Sequence, residues 1–305
     1  MKFESFITIT LPTFITNCLM TFMPCHAQEA ASLHDEHNDQ IINITAIDYA
    51  FEAPDEIPSG WTTIEYTNKG QEPHMLLFHR LPEDKAFEDF VGKVYPSVND
   101  WWLAIRDEGM SQSDARETIE LPKWYNAAQQ WMGGAGIIAP GLTSEITLNL
   151  KPGTYAMECY IKTEDGELHA MEGMIRELTV TDHKSHTKPP EANIKITLTN
   201  NLMAIDGDLA PGKHTIAVHL AEGFMHNVHV ARLGPDTNIH KVVDWMYFLN
   251  IGGMWPPAPA TFLGGMHILQ QGETGYFTVD LDQGRYLFVS EMTGSRGVLK
   301  EITVK

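Results

Sequence analysis

Short segments in which apolar and polar residues alternate recur along the chain, which is the pattern of half-buried β-strands. In the first half they cover residues 42–49, 62–67, 145–150 and 177–180, and in the second half residues 192–199, 214–220, 275–281 and 286–289. Turn sequences such as Asn68-Lys69-Gly70 and Pro152-Gly153 separate them. Many short strands joined by such turns predict an all-β protein built as a β-sandwich.

Each half also contains one insertion with helical periodicity. Between residues 84 and 94 the apolar side chains fall on one helical face, and Asn99-Asp100 is expected to cap a second helix through Trp101 and Ile105. The insertion in the second half is predicted around residues 242–248.

The two halves match each other in three places and in the same order. Residues 73–81 match 225–233, residues 150–159 match 281–290, and residues 173–180 match 297–304. An ordered set of matches indicates a tandem duplication. We therefore predict a first domain at 41–181, a polar, proline-containing linker at 182–193, and a second domain at 194–305.

The N-terminus has the features of an export signal. Lys2 precedes an apolar run from Phe6 to Met23, and Cys25-His26-Ala27 resembles a cleavage site. We expect residues 1–27 to be removed, residues 28–40 to be a flexible segment, and the mature protein to be periplasmic or secreted, without a membrane span. Cleavage would remove Cys18 and Cys25 and leave Cys159 without a disulfide partner.

The composition fits a soluble two-domain protein that interacts with other proteins. The chain has 305 residues, 43% of them hydrophobic, and a formal net charge of −19. Such an acidic surface disfavours nucleic acid and anionic membranes as partners and favours a basic protein or a cationic ligand. The oligomeric state is left open.

The only cysteine expected in the mature chain lies close to candidate metal ligands. Cys159, His169 and Met174 fall within one run of twenty residues at the end of a predicted strand. A thiolate, an imidazole and a thioether are the groups from which blue-copper sites are built.

At these positions the chain resembles the cupredoxin family, over nearly all of residues 41–305. Residues 66–78, with Asn68 and His74, resemble the cupredoxin strand that delivers the first histidine ligand, and residues 153–174 resemble the ligand loop. The resemblance implies two tandem cupredoxin-like Greek-key β-sandwiches, each with a helical insertion. It also implies one type 1 copper per chain, bound by His74, Cys159, His169 and Met174.

The second half lacks these ligands. Ser290 stands where the first half has Cys159, Val298 stands where it has Met174, and no histidine lies between them. We expect no copper there, and we expect His226 and His229 not to form a metal pair, because residues three apart on a strand face opposite sides.

Several assignments stay open at this point. Met171, Glu158 or Glu172 could replace Met174 as the axial ligand, and His79 is expected to be exposed rather than to bind metal. In the family Met75 is often an asparagine, so this substitution changes the surroundings of the copper.

The predicted function is one-electron transfer with a redox partner protein rather than enzymatic turnover. The long loop between Cys159 and His169 is similar to that of two-domain copper nitrite reductases, but Glu158 and Tyr160 flank Cys159 where those enzymes have a histidine. No His-x-His pair occurs in the chain. Two alternatives remain: a copper-dependent oxidoreductase with a second site formed between subunits, and a copper carrier without redox activity.

Overall fold

A computed structural model describes residues 41–305, so the predicted signal at 1–27 and the segment at 28–40 lie outside the described residues. The strands are β1 (Ile42–Ile47), β2 (Ala50–Glu52), β3 (Glu56–Asn68), β4 (Leu77–Arg80), β5 (Thr143–Leu150), β6 (Gly153–Glu158), β7 (Ile175–Lys184), β8 (Ile194–Thr199), β9 (Leu202–Asp206), β10 (Gly212–Leu220), β11 (Val228–Leu233), β12 (Thr261–Met266), β13 (Thr274–Leu281), β14 (Gly284–Val289) and β15 (Leu299–Val304).

The helices are short and lie in the insertions: α1 (Phe87–Asp89), α2 (Tyr95–Arg106), α3 (Gln112–Thr118), α4 (Ala127–Gln130) and α5 (Ile239–Met246). Among residues 41–305 no helix combines the length and the apolar character needed to cross a membrane.

The predicted strands form because their alternating residues bury one face. In β1, for example, Ile42, Ile44 and Ala46 are buried while the residues between them are exposed or partly exposed. The protein is mostly β, as predicted. Its strands form one 11-stranded mixed sheet and one 4-stranded sheet, and the large sheet includes strands of both halves because β5 pairs with β13. The sequence predicted two separate sandwiches and did not predict this pairing.

A segment without regular strand assignment, residues 131–139, joins the two halves a second time. We call it the bridging segment. On one side His74 N–H donates to Ile138 O (3.1 Å) and Leu76 N–H donates to Ala135 O (3.1 Å). On the other side the bridging segment bonds to residues 262–268, for example through His267 N–H to Gly134 O (2.9 Å). Strand β4 and strand β12 are thus held by the same stretch of backbone.

Glycine permits this close approach. Gly134 has a φ of +149°, and a Cβ atom placed there would lie 1.9 Å from Leu76 O. Only a residue without a side chain can adopt this conformation and pack against the neighbouring backbone.

Two local expectations differ from the structure. Asn99 and Asp100 lie inside α2 and do not cap it; the helix begins at Tyr95, with Pro96 in its first turn, directly after a π-helical turn at Phe90–Val94. A proline is well tolerated in the first turn, where no N–H partner is required. Strand β7 continues to Lys184, three residues into the predicted linker, because it pairs with β3 there. The domain boundaries themselves remain a prediction.

Candidate metal centre

Three predicted residues from distant parts of the chain meet at the end of the first-half strands. His74 precedes β4 and is bonded in both directions to Ile138 of the bridging segment. Cys159 directly follows β6, which pairs with β4. His169 lies on the return loop, and its N–H donates to Ile161 O (2.8 Å). The side-by-side placement of β4 and β6 therefore brings together residues separated by about eighty-five positions.

The side chains of these three residues face one another. The two Nδ1 atoms of His74 and His169 are 3.1 Å apart, and Cys159 Sγ lies 3.9 Å from the first and 3.6 Å from the second. All three side chains are fully buried, and their ligand atoms lie within 4.8 Å of one another. Across residues 41–305 no other group of three His, Cys, Asp or Glu side chains meets this distance criterion.

Carboxylates on the far side of each ring fix the two imidazoles. His74 Nε2 lies 2.6 Å from Asp48 Oδ1, and His169 Nε2 lies 2.7 Å from Glu72 Oε2. Because a carboxylate accepts hydrogen bonds, each ring carries its proton on Nε2 and a lone pair on Nδ1. Two lone pairs 3.1 Å apart repel each other unless a cation lies between them. The arrangement therefore fits a bound metal ion.

Burial keeps both imidazoles in the neutral form that binds metals. It lowers the pKa of His74, although the bond to Asp48 opposes this, and it lowers the pKa of His169 to about 3, with a further contribution from His74. Burial also raises the pKa of the Cys159 thiol to about 12. Without a cation Cys159 is thus a thiol, and metal binding has to displace its proton.

The loop that carries His74 is braced by backbone and side-chain hydrogen bonds. Asn68 Nδ2 donates to Glu72 O (2.8 Å) and to Ile138 O (3.0 Å), and Asn68 Oδ1 accepts from Gly70 N–H (2.9 Å). Gly70 is required for space, because a Cβ atom there would lie 2.2 Å from Asp48 Oδ1 and 2.6 Å from His74 Nε2.

Met75 contributes its backbone rather than its side chain. Its N–H donates to Cys159 Sγ (3.5 Å), while its own sulfur lies 3.0 Å from His267 Nε2. Met75 therefore supplies a backbone donor to the cysteine, and its side chain contacts His267 instead.

Met174 lies beside the three buried ligands. It is fully buried, its N–H donates to His169 O (2.9 Å), and its carbonyl accepts from Cys159 N–H (3.2 Å). The alternatives are placed differently: Met171 is 45% exposed, Glu172 is exposed, and Glu158 is bonded to His79.

The expectation that His79 is exposed is wrong. Its side chain is 2% exposed and its Nε2 lies 2.7 Å from Glu158 Oε1. The helical insertion covers it, since Phe90 packs on its ring at 4.8 Å between centroids. Sequence analysis also missed Asp48 and Glu72. Glu72 stands two residues before His74 in the same loop, and this closeness is a signal that could have identified it, whereas nothing in the sequence marks Asp48.

His226 and His229 do not form a metal pair with each other. His226 Nδ1 lies 3.2 Å from Thr293 Oγ1, and His229 Nδ1 accepts a hydrogen bond from Ile137 N–H (3.0 Å). The two rings thus have different hydrogen-bond partners; His229 lies on β11, whereas His226 lies two residues before that strand.

Comparison with known proteins gives similar structures only. No family model and no curated protein matches the chain. Among solved structures, auracyanin A, a "blue" copper protein from Chloroflexus aurantiacus, is 16% identical and covers 47% of this chain and 98% of its own, with a TM-score of 0.27. A multicopper oxidase is 13% identical and covers 87% of this chain and 89% of its own, with a TM-score of 0.24.

A copper-containing nitrite reductase from Thermus scotoductus is 12% identical and covers 87% of this chain and 61% of its own, with a TM-score of 0.23. At these TM-scores the likenesses carry no argument about function, which has to come from the side chains themselves. The contacts described above give the chain the cupredoxin-like site that its sequence predicted: a buried group of His74, Cys159 and His169 with Met174 beside it.

Proposed function

We propose that this chain is an exported type 1 copper protein that transfers single electrons through one copper bound by His74, Cys159, His169 and Met174. The observation that carries the proposal is the convergence of two Nδ1 atoms and one sulfur within 3.1–3.9 Å in a fully buried position. Two imidazoles, a thiolate and a weak axial thioether are a donor set typical of blue copper.

The residues of the chain orient the donors and keep water away from them. Asp48 and Glu72 hold the two rings by their Nε2–H groups, and such outer partners commonly set the ring orientation of metal-bound histidines. Met75 N–H donates to the cysteine sulfur, and the surrounding strands exclude solvent. When bound, copper supplies the Cu(I)/Cu(II) couple; a rigid, dry set of donors limits rearrangement between the two states.

The proposal includes two further elements from the sequence. The halves are copies of one Greek-key cupredoxin unit, of which the second keeps only His226, the match of His74, and lacks the other three donors. The mature protein acts outside the cytoplasm after removal of residues 1–27. The net charge of −19 supports a redox partner with a basic surface.

Copper loading and visible spectroscopy test the function. We expect one copper per chain and an intense thiolate-to-copper absorption band. Cys159→Ala should abolish the band, whereas the matched Ser290→Ala in the second half should leave it unchanged. The assignment is wrong if no band forms, or if it survives Cys159→Ala.

The same samples separate the alternatives. More than one tightly bound copper per chain would favour an oxidoreductase with a second metal centre. One copper with slow electron self-exchange would favour a carrier.

A further inference from the structure

A cavity lies on the other side of Cys159 from the histidines. It has a volume of about 290 Å³ and lies between the helical insertion of the first half and the second half of the chain. Its walls are mostly apolar, and the aromatic side chains among them include Phe90, Tyr125, Trp131, Phe224 and Phe248. Small-molecule sites are typically apolar cavities of about 300–1,000 Å³ with a few polar groups. The volume therefore suits a small ligand.

The cavity is directly connected to the candidate metal centre through the chain. Glu158 and Tyr160, the two neighbours of Cys159, both line it. Glu158 Oε1 is bonded to His79 Nε2 (2.7 Å), and Tyr160 Oη donates to Glu291 Oε2 (2.7 Å). Because neighbours on an extended chain face opposite sides, Cys159 faces the histidines while Glu158 and Tyr160 face the cavity.

Three buried polar atoms of the cavity wall have no hydrogen-bond partner among the described residues: His79 Nδ1, Tyr95 Oη and Trp131 Nε1. The first two are the ones to which a ligand hydroxyl can bond. Since His79 gives its Nε2–H to Glu158, its Nδ1 carries a lone pair and can accept a hydrogen bond. A buried polar group without a partner destabilises the protein, and a hydrogen bond to a ligand hydroxyl removes that cost.

The second half shows that the His79–Glu158 pair is not needed for the fold. In the matching segments Ala231 stands in place of His79 and Val289 in place of Glu158. Strand β11 nevertheless pairs with β14 as β4 pairs with β6. The His79–Glu158 pair is therefore an addition specific to the half that carries the cavity.

The charges of the wall select against anions. Glu158 and Glu291 line the cavity together with one cation, Arg116, and the rest of the lining is largely apolar. Both carboxyl groups already have partners, since Glu158 is bonded to His79 and Glu291 to Tyr160. A charged ligand would therefore lose its hydration without gaining a free partner, so the lining favours a neutral molecule.

We propose that this cavity binds a small neutral aromatic compound that carries a hydroxyl group. The aromatic part packs against Phe90, Tyr125 and Trp131, and the hydroxyl donates to His79 Nδ1 and bonds to Tyr95 Oη. Both polar atoms are covered by protein, so a side-chain adjustment accompanies binding. If the proposed function holds, the ligand lies next to the two chain neighbours of the copper cysteine, Glu158 and Tyr160, and acts as an effector of that centre.

Two isomeric probes test the site in the metal-free, full-length protein. Titration with 2-naphthalenemethanol, followed by calorimetry and tryptophan fluorescence, should show saturable binding, while 2-methoxynaphthalene, which cannot donate a hydrogen bond, should bind at least tenfold more weakly. Tyr95→Phe and His79→Ala should each weaken binding of the alcohol about tenfold and leave binding of the ether unchanged. Thermal unfolding of both variants checks that they are folded.

The proposal is overturned if the alcohol does not bind, if both probes bind equally, or if neither variant discriminates between them. Its failure is distinguishable from failure of the copper assignment, because the titration needs no metal. Saturable, variant-sensitive binding together with no thiolate-to-copper band would reject copper and retain the cavity site. A normal band without ligand binding would do the reverse.

Discussion

The ends of the two halves share a backbone arrangement but differ in the atoms placed on it. In the first half Cys159 N–H donates to Met174 O (3.2 Å) and Met174 N–H donates to His169 O (2.9 Å). In the second half Ser290 N–H donates to Val298 O (3.1 Å) and Val298 N–H donates to Thr293 O (3.2 Å). By these bonds Thr293 occupies the position of His169, although the loop of the second half is shorter.

The side chains at these positions are satisfied in different ways. Thr293 Oγ1 lies 3.2 Å from His226 Nδ1 and donates to Ser290 Oγ (2.9 Å), so in the second half hydroxyl groups take the places of the thiol and the second imidazole. The first half instead directs two lone pairs and a thiol at one point. The comparison shows that the two halves share the backbone arrangement at these strand ends. The side chains placed on it decide whether the site needs a cation.

The largest effect is expected from transferring the donors to the second half. Ser290→Cys, Thr293→His and Val298→Met together with the existing His226 should add one copper per chain and a second thiolate-to-copper band in metal-loaded protein. The physical reason is that Thr293 already lies between His226 and Ser290. If metal analysis still gives one copper per chain, the backbone of the second half does not place these side chains as the first half places its ligands.

A smaller effect is expected from exchanging the outer partners of the histidines. Asp48 bonds to His74 at 2.6 Å, and the corresponding partner of His226 is Asn200 at 3.5 Å. Asp48→Asn should lower copper affinity about 10- to 100-fold, because the ring loses its charged partner. Asn200→Asp is the matched control and should leave competition titrations of copper unchanged. Equal affinities for Asp48→Asn and wild type would show that the carboxylate does not support the ligand.

A glycine lies against the histidine and its partner in each half, Gly70 in the first and Gly223 in the second. A Cβ atom at Gly70 would lie 2.2 Å from Asp48 Oδ1, and one at Gly223 would lie 2.2 Å from Asn200 Oδ1. Gly70→Ala should displace the Asp48–His74 pair and weaken copper binding about tenfold.

Gly223→Ala should instead lower the free energy of unfolding by about 1 kcal/mol, because its φ is +106°, and should not change copper affinity. An unchanged affinity in Gly70→Ala would contradict the positioning role of the Asp48–His74 pair.

The smallest effect concerns pH. Glu291, which follows Ser290, is buried, and burial raises its pKa from 4.5 to about 7. Between pH 4.5 and 7 the folded state holds a proton on Glu291 that the unfolded state releases. The contribution of Glu291 to the free energy of unfolding is therefore full below pH 4.5 and is lost as the pH rises through 7. The expected slope is about 1 kcal/mol per pH unit at most.

Denaturant unfolding of the metal-free protein at several pH values measures how the free energy of unfolding changes with pH. Glu291→Gln should remove the part of that slope that comes from Glu291. Tyr160 occupies the matching position of the first half and donates to Glu291, so Tyr160→Phe serves as a control that retains the titrating carboxyl group. Identical slopes in Glu291→Gln and wild type would exclude Glu291 as the source.

Much of the site could be predicted because its information is local. Cys159, His169 and Met174 lie within one loop, and the match between residues 73–81 and 225–233 indicates the strand of His74. Strands with strict alternation, such as β1 and β13, were also predictable, since their buried faces follow directly from the pattern.

The remaining features depend on contacts between distant segments. Asp48 reaches His74 only because the turn after β1 folds over residues 68–72, where Asn68 and Gly70 shape the loop. His79 is buried only because the helical insertion covers its strand. The pairing of β5 with β13 requires both halves to be complete, so no pattern within one half could indicate it.

Through the bridging segment, the second half has an indirect role at the candidate metal centre of the first half. Ile138 bonds to His74 on one side and is bridged to Leu263 on the other. Removal of the second half would take away the backbone partners that residues 131–139 have in residues 262–268 and would leave an unpaired edge next to His74. The second half thus stabilises the backbone around a candidate metal centre to which it contributes no ligand.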